Sequence, residues 1–153
     1  SFDVNVNGTC TPQIDLTPTL TVLPTSIVGV SPVYVTVKVN EILGNTTTSN
    51  VIVRIPKNSK LSFTWDGSAT SIGGFLPTMN SQWTYSSNSL FHIWTSNGNI
   101  SGSGNSTFGF EGTFNPQGQN GTFNLTATIQ NASGGDINNA NNADTEIITF
   151  FNN

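Results

Sequence analysis

Pro32-Val33-Tyr34-Val35-Thr36-Val37-Lys38-Val39-Asn40, followed after a Thr/Asn-rich bridge by Val51-Ile52-Val53-Arg54-Ile55-Pro56, is the stretch that decides the fold. Val33, Val35, Val37 and Val39 fall on one parity, and Tyr34, Thr36, Lys38 and Asn40 on the other. Period two with an apolar side and a polar side is the pattern of a strand with one buried face. β-Branched side chains lose little on a pleated surface and pack well there, so an unbroken Val stripe favours strand over helix. Val51, Val53 and Ile55 repeat the pattern after the Gly44-Asn45 turn region, and Pro56 ends it because proline cannot donate to a ladder.

The same period extends in both directions. Towards the N-terminus, Thr17 to Leu23 reads as a strand that Pro18 places at an edge or just entering a sheet, and Phe2, Val4 and Val6 alternate with Asp3, Asn5 and Asn7. Towards the C-terminus come Leu61-Phe63-Trp65, Trp83 to Ser86, Leu90 to Thr95, and Phe108-Phe110-Phe114. Phe123-Leu125-Ala127-Ile129 follows the Asn120-Gly121 turn, and Glu146 to Phe151 closes the chain. Ser68 to Asn80 has little pattern and reads as a loop. Asn97 to Asn105 is nearly all Gly, Ser and Asn, a turn-forming connection expected to bury little. No stretch has helical period. Nine or ten short strands between turn signals predict an all-β protein, an antiparallel β-sandwich.

Length and composition bound the rest. The 153 residues suit one domain, with residues 1–13 as an N-terminal strand and linker and 14–153 as the sandwich. Only 8% of residues are charged, where an ordinary domain has roughly a quarter, while Asn, Thr and Ser together number 60. Hydroxyls and carboxamides therefore solvate the surface. A net charge of −4 has the wrong sign for neutralising phosphates, which argues against a nucleic-acid partner. No apolar run is long enough to insert in a membrane, and no secretory leader opens the chain, which reads as mature or excised. Cys10 is the single cysteine, so no intrachain bridge forms; it can pair only between chains. No internal repeat is visible, and the whole chain reads as one repeat of something longer.

The Val/Thr strand ending at Asn40, the next strand ending at Pro56, the opening Asp15-Leu16-Thr17-Pro18, and the closing Gly134-Gly135-Asp136, Asn141-Asn142 and Asp144 occur here in one order. In that order they resemble the immunoglobulin-like, CARDB-like repeat modules of large secreted and cell-surface proteins of Bacteroidetes, a group that exports adhesins by type IX secretion. The resemblance implies a sandwich fold and a structural or adhesive role outside the cell. Two departures stand out: the segment from Ser59 to Asn105, which holds all three Trp, is longer than a minimal repeat needs, and no type IX sorting domain is present.

Catalysis lacks its parts. The one histidine, His92, lies within an apolar strand rather than between a nucleophile and a carboxylate. Asp66 and Glu111, the two acids of the central region, sit at a turn and on a polar strand face. One His and one Cys are too few for zinc. Neither an enzyme nor a resident cofactor is expected. Calcium has a weak candidate in the loop from Asp136 to Asp144, with those two carboxylates as ligands; the EF-hand order is missing, and Asx-turns before the final strand are the favoured reading of that composition. Trp65 and Trp83 share parity with core residues. Trp94 shares parity with His92, opposite Phe91 and Ile93, and either face could be the inner one. If it faces out, Trp94 with His92 offers surface glycans a ring to stack on; the simpler reading is core, as for most large aromatics.

The expected function is a non-enzymatic spacer or adhesive module of a secreted or cell-surface bacterial protein, partnered by neighbouring modules of the same kind. The first alternative is an extracellular filament subunit whose donor strand, carrying Phe2, Val4 and Val6 with Cys10 at its hinge, completes the next subunit's sheet. The second is a carbohydrate-binding module.

Overall fold

The structure is a computed structural model and describes residues 12–153. Its strands are β1 (Leu16–Leu23), β2 (Ser26–Val28), β3 (Ser31–Glu41), β4 (Ile52–Pro56), β5 (Leu61–Phe63), β6 (Ser71–Ile72), β7 (Leu76–Pro77), β8 (Trp83–Ser87), β9 (Phe91–Ser96), β10 (Asn105–Phe114), β11 (Gly121–Ile129) and β12 (Ala143–Phe151). Two sheets face each other, one ordered β1-β3-β10-β5 and the other β2-β12-β11-β4-β9-β8. Neighbours pair antiparallel except β2 and β12, which run parallel over Thr149↔Ser26 to Phe151↔Val28. The immunoglobulin-like sandwich read from the sequence is the fold observed.

The Val33–Val39 stripe lies at the centre of the first sheet and is wholly buried. Facing it from the second sheet are Val53 and Ile55 of β4, Leu125, Ala127 and Ile129 of β11, and Ile148 of β12. Phe108, Phe110 and Phe114 of β10 fill the remaining width. Pro18 sits in β1, which is an edge strand, as its missing N–H requires.

The direction of the outer strands gives the molecule two poles. Leu20 of β1 lies against Asp144, Thr25 against Thr149, and Val28 against Phe151. β1 and β2 therefore run alongside β12 in the same direction, and the described chain enters at one end of the sandwich and leaves at the other. At the entry pole lie Ile14, the β3–β4 loop, the β9–β10 loop and the β11–β12 loop; at the exit pole lie Gly29, the β10–β11 loop and Asn153.

Short elements depart from the sequence reading. β2 has one buried side chain, Ile27, too little to show a period. Ser68 to Asn80 holds the β6–β7 hairpin, which lies on the outer face of the first sheet with Ile72 buried over Gly109. Gly109 must lack a side chain there, since a Cβ would stand 2.7 Å from the Val35 carbonyl oxygen and 3.0 Å from Ile72 Cγ1. Asn80 then replaces a strand partner: its carboxamide takes the Gly109 N–H and gives to the Gly109 carbonyl, both at 2.9 Å. The Asn97–Asn105 connection buries Ile100, whose N–H and C=O both pair with Thr47. The donor-strand residues Phe2, Val4 and Val6, and Cys10, lie outside the described residues.

Candidate functional site

At the entry pole the chemistry is carried by carboxylates and carboxamides. Glu41 continues the parity of Val33 to Val39, so its side chain points inward and is 2% exposed. It is satisfied there by five backbone N–H groups. Oε1 accepts from Gly44 at 2.7 Å, Ser103 at 2.9 Å and Asn45 at 3.0 Å, and Oε2 from Leu43 at 3.1 Å and Asp15 at 3.3 Å. Burial pushes its pKa up, but the N–H groups of Ser103, Leu43, Asp15 and Gly44 outweigh that and hold it below the ordinary value. One side chain thus gathers the start of β1, the β3–β4 loop and the β9–β10 loop. Gly44 adopts φ +87°, and the backbone of Gly44 lies so close to Gly102 that a Cβ there would stand 2.4 Å from it.

Asp136 and Asp144 guard the free edge of β1. Asp136 Oδ1 accepts from Leu16 N–H at 3.1 Å and Asp144 Oδ2 from Leu20 N–H at 2.8 Å, while Pro18 between them has no N–H to offer. An edge strand with its donors occupied is a poor template for another chain. The calcium site expected from Asp136 together with Asp144 is corrected by this arrangement. Leu16 and Leu20 lie about 13 Å apart along the strand, which leaves the two bound carboxylate oxygens about 7 Å apart or more. Ligands of one calcium at about 2.3–2.6 Å cannot span that.

Asp136 keeps other company. Its Oδ2 accepts from Asn142 Nδ2, and its Oδ1 from Asn138 N–H at 3.3 Å. Asn138 Nδ2 in turn reaches Asp15 Oδ2 at 3.2 Å, and Asn141 Nδ2 reaches Asp15 Oδ1 at 2.9 Å. Asp15 and Asp136, both buried, are linked through Asn138, whose carboxamide reaches Asp15 and whose backbone N–H reaches Asp136.

The aromatic side of the sandwich corrects the glycan candidate. Trp94 is 0% exposed, stacked on Phe108 at 4.6 Å and on Phe110 at 5.8 Å, so it offers no ring to a sugar. The inward face of β9 is the one carrying His92, Trp94 and Ser96, because Trp94 pairs with Val53, whose side chain is core. Phe91, on the outward face, is covered by the Arg54 guanidinium at 4.9 Å. His92 is half-buried, its Nδ1 2.8 Å from Tyr85 Oη and its ring 4.6 Å from Phe63. Burial, and after it the charge of Lys57, pushes the His92 pKa below its ordinary value. The rings left half-exposed along this side are Phe63, Trp65 and Tyr85, where the short β5 fails to cover β8.

A concavity of about 310 Å³ lies on the outer face of the first sheet. Thr19, Thr21, Thr36, Lys38 and Thr107 line its floor, and Leu76 and Met79 its wall. Its floor is neutral apart from Lys38 and brings no set of nucleophile, base and oxyanion donors together. No group of three or more His, Cys, Asp or Glu among the described residues is placed to hold a metal ion. No helix among them is long and apolar enough to cross a membrane.

Glu41 was not singled out in the sequence, although an acid on the inward parity of a Val stripe is a visible signal of a buried anchor. Asp15 and Asn142 give no such signal, since neither falls in an unambiguous period.

The sequence matches no family model and no curated protein. Solved structures do match. The CARDB domain of a Pyrococcus furiosus protein, crystallised in complex with di-metal ions, superposes with a TM-score of 0.56 at 17% identity, over 93% of this chain and 97% of that one. The solution structure of that domain gives the same score over 92% and 97%. The N-terminal domain of a Streptococcus gordonii adhesin also reaches 0.56, at 13% identity, over 88% of this chain and 32% of the adhesin chain. At these identities the likeness is one of fold: the chain has the CARDB-like, immunoglobulin-type β-sandwich, shared with proteins of an archaeon and a streptococcus.

Proposed function

We propose that this chain is a non-enzymatic, tension-bearing module of a large secreted or cell-surface bacterial protein, a spacer or adhesive repeat set between neighbours of its own kind. The observation that carries the reading is the polar layout: the chain enters at one end of the sandwich and leaves at the other, with β1 and β2 running alongside β12. Tension between the ends loads that seam in shear. Thr149 N–H to Thr25 O at 2.8 Å, Gly29 N–H to Phe151 O at 2.9 Å and Leu20 N–H to Asp144 at 2.8 Å then strain together instead of opening one by one. The Bacteroidetes-type setting suggested by the Val/Thr and Asn/Pro strand ends supports the same reading, as does a composition in which 60 Asn, Thr and Ser residues stand against 12 charged ones. Surface glycans, if an adhesive role involves them, would meet Trp65 and Tyr85 rather than Trp94.

The test is single-molecule pulling in two geometries. Pulled end to end, the module should give one cooperative rupture with an extension of about 450 Å, from about 3.3–3.6 Å per extended residue. Pulled between Gly118 and Asn153, both at the exit pole, β11 and β12 unzip, and the rupture force should be several-fold lower. Equal forces in the two geometries would overturn the reading.

A further inference from the structure

We propose that copies of this chain stack end to end, the entry pole of one seated on the exit pole of the next. Both ends carry apolar side chains that the sandwich leaves uncovered. At the entry pole the Ile42 N–H bonds to the Asp15 carbonyl and the Ile137 N–H to the Ile14 carbonyl, so these two residues flank the entering chain about 10 Å apart, with Leu43 beside Ile42. At the exit pole Val28 pairs with Phe151, and Val30 follows Gly29, whose N–H donates to the Phe151 carbonyl. All six are between 45% and 64% exposed, and they are six of the eleven large apolar side chains that lie exposed among the described residues. Scattered singly, such residues are ordinary; a cluster around each of the two points where the chain passes through the ends marks a contact surface.

Charge names the partner. Asp15, Glu41, Asp136 and Asp144 gather towards the entry pole, and among the described residues every hydrogen bond their carboxylates accept comes from a neutral N–H or NH₂ group, so that end keeps its negative charge. The exit pole is the cationic end. The β4–β5 loop, which carries Lys57 and Lys60, lies against the β10–β11 loop there: the Lys60 carbonyl accepts from Asn115 N–H at 2.8 Å, and the Ser59 carbonyl from Gln117 Nε2 at 3.1 Å. Lys60 Nζ stands 5.7 Å from the centre of the Phe150 ring. Two of the chain's four cations thus sit towards the end opposite four of its eight acids. An apolar, negative end fits an apolar, positive one, and a second copy in the same orientation supplies both. Because the two patches differ, the contact is head-to-tail and does not close on itself; it repeats into a row of modules that keeps the chain direction. The inference rests on reading the chain as a module among neighbours of its own kind, and is independent of whether the module bears tension.

The experiment is analytical sedimentation of the full chain up to about 1 mM, where its mean mass should climb without settling at a dimer, with a dissociation constant on the order of 10⁻⁴–10⁻³ M for so small an interface. Ile42→Ser with Ile137→Ser blunts the entry pole, and Val28→Ser with Val30→Ser the exit pole. Each double variant, with its Trp fluorescence and melting midpoint near those of the wild type, should associate at least about tenfold more weakly and stay monomeric. Mixed in equal parts, the two should form a dimer that grows no further, because each keeps the end the other has lost. A wild-type chain that is monomeric at the highest concentration would overturn the inference and leave the tension-bearing reading to its own pulling test. If deletion of residues 1–11 then released association, that segment rather than a second copy would be the occupant of the entry pole. Association that survives in both double variants, or a mixture that stays monomeric, would overturn the inference too.

Discussion

Replacing Glu41 by Ala removes the acceptor of five N–H groups at once, and the structure sets the size of the effect. The Asp15 N–H is buried, and leaving it unpaired costs about 1–3 kcal/mol; those of Leu43, Gly44, Asn45 and Ser103 are partly buried and can be rewetted at about 0.5–1 kcal/mol each. The total is about 4 kcal/mol, a large part of the roughly 5–15 kcal/mol a domain possesses. The melting midpoint should fall by about 8–16 °C. Glu41→Gln keeps one acceptor but turns an NH₂ towards backbone donors, and should cost nearly as much. The two differ from the wild type in pH dependence. Because the folded-state pKa of Glu41 is held below its ordinary value, the folded protein binds fewer protons than the unfolded one in that range. Its contribution is present above the ordinary carboxylate range and is lost as the pH falls through the folded value. Urea unfolding followed by Trp fluorescence from pH 7 to pH 3 should show a steeper acid decline in the wild type than in Glu41→Gln. The reasoning is refuted if Glu41→Ala lies within about 1 kcal/mol of the wild type at pH 7, the worth of a single ordinary hydrogen bond, or if the wild-type and Gln profiles run parallel.

Gly109→Ala should destabilise by about 2–3 kcal/mol, since the new Cβ meets the immovable Val35 carbonyl oxygen at 2.7 Å, whereas Gly118→Ala, with φ +76° but open space around it, should cost about 1 kcal/mol; denaturant midpoints of the two decide whether close approach or backbone strain dominates. For His92, burial first and Lys57 second favour the neutral ring, so the unfolded chain binds the extra proton and stability should fall as the pH drops below the ordinary histidine range. His92→Gln should flatten the urea midpoint between pH 7.5 and pH 5, and unchanged slopes would show that the ring's environment does not couple to folding.

What the sequence revealed follows the length of the period. Val33 to Val39 and Phe123 to Ile129 are long enough for alternation to name their inner face unaided. Trp94 could not be placed that way, because β9 is apolar on both parities and only its register against Val53 of β4 decides which side is core. β2, β6 and β7 are two or three residues long and show no period at all. The loop acids were visible as acids, but their use was not. Asp136 serves an N–H 120 positions away and Asp144 one 124 positions away, so proximity in sequence suggested a shared ion where the fold gives each a separate donor. Asp15 is brought to Asp136 by the bridge between Ile14 and Asp136 and by the Leu16 N–H bond to Asp136 Oδ1, pairings no local pattern announces.

A chain with 8% charged residues has few ion pairs to spend, and here carboxylates work as acceptors for the backbone. Glu41, Asp136 and Asp144 all end on main-chain N–H groups, and between them they hold the residue before β1, the first residue of β1 and its midpoint. A charge-assisted hydrogen bond is roughly twice as strong as a neutral one. Such bonds therefore concentrate on the strand that enters the module, drawing it to the β3–β4 and β9–β10 loops on one side and to the β11–β12 loop and β12 on the other. In a sandwich loaded through its ends, the entering strand is the first to leave. Placing charged acceptors along its first half resists that departure where neutral surface groups could not: three of the eight acids, Glu41, Asp136 and Asp144, commit carboxylate oxygens to backbone N–H groups at or just before this one edge strand.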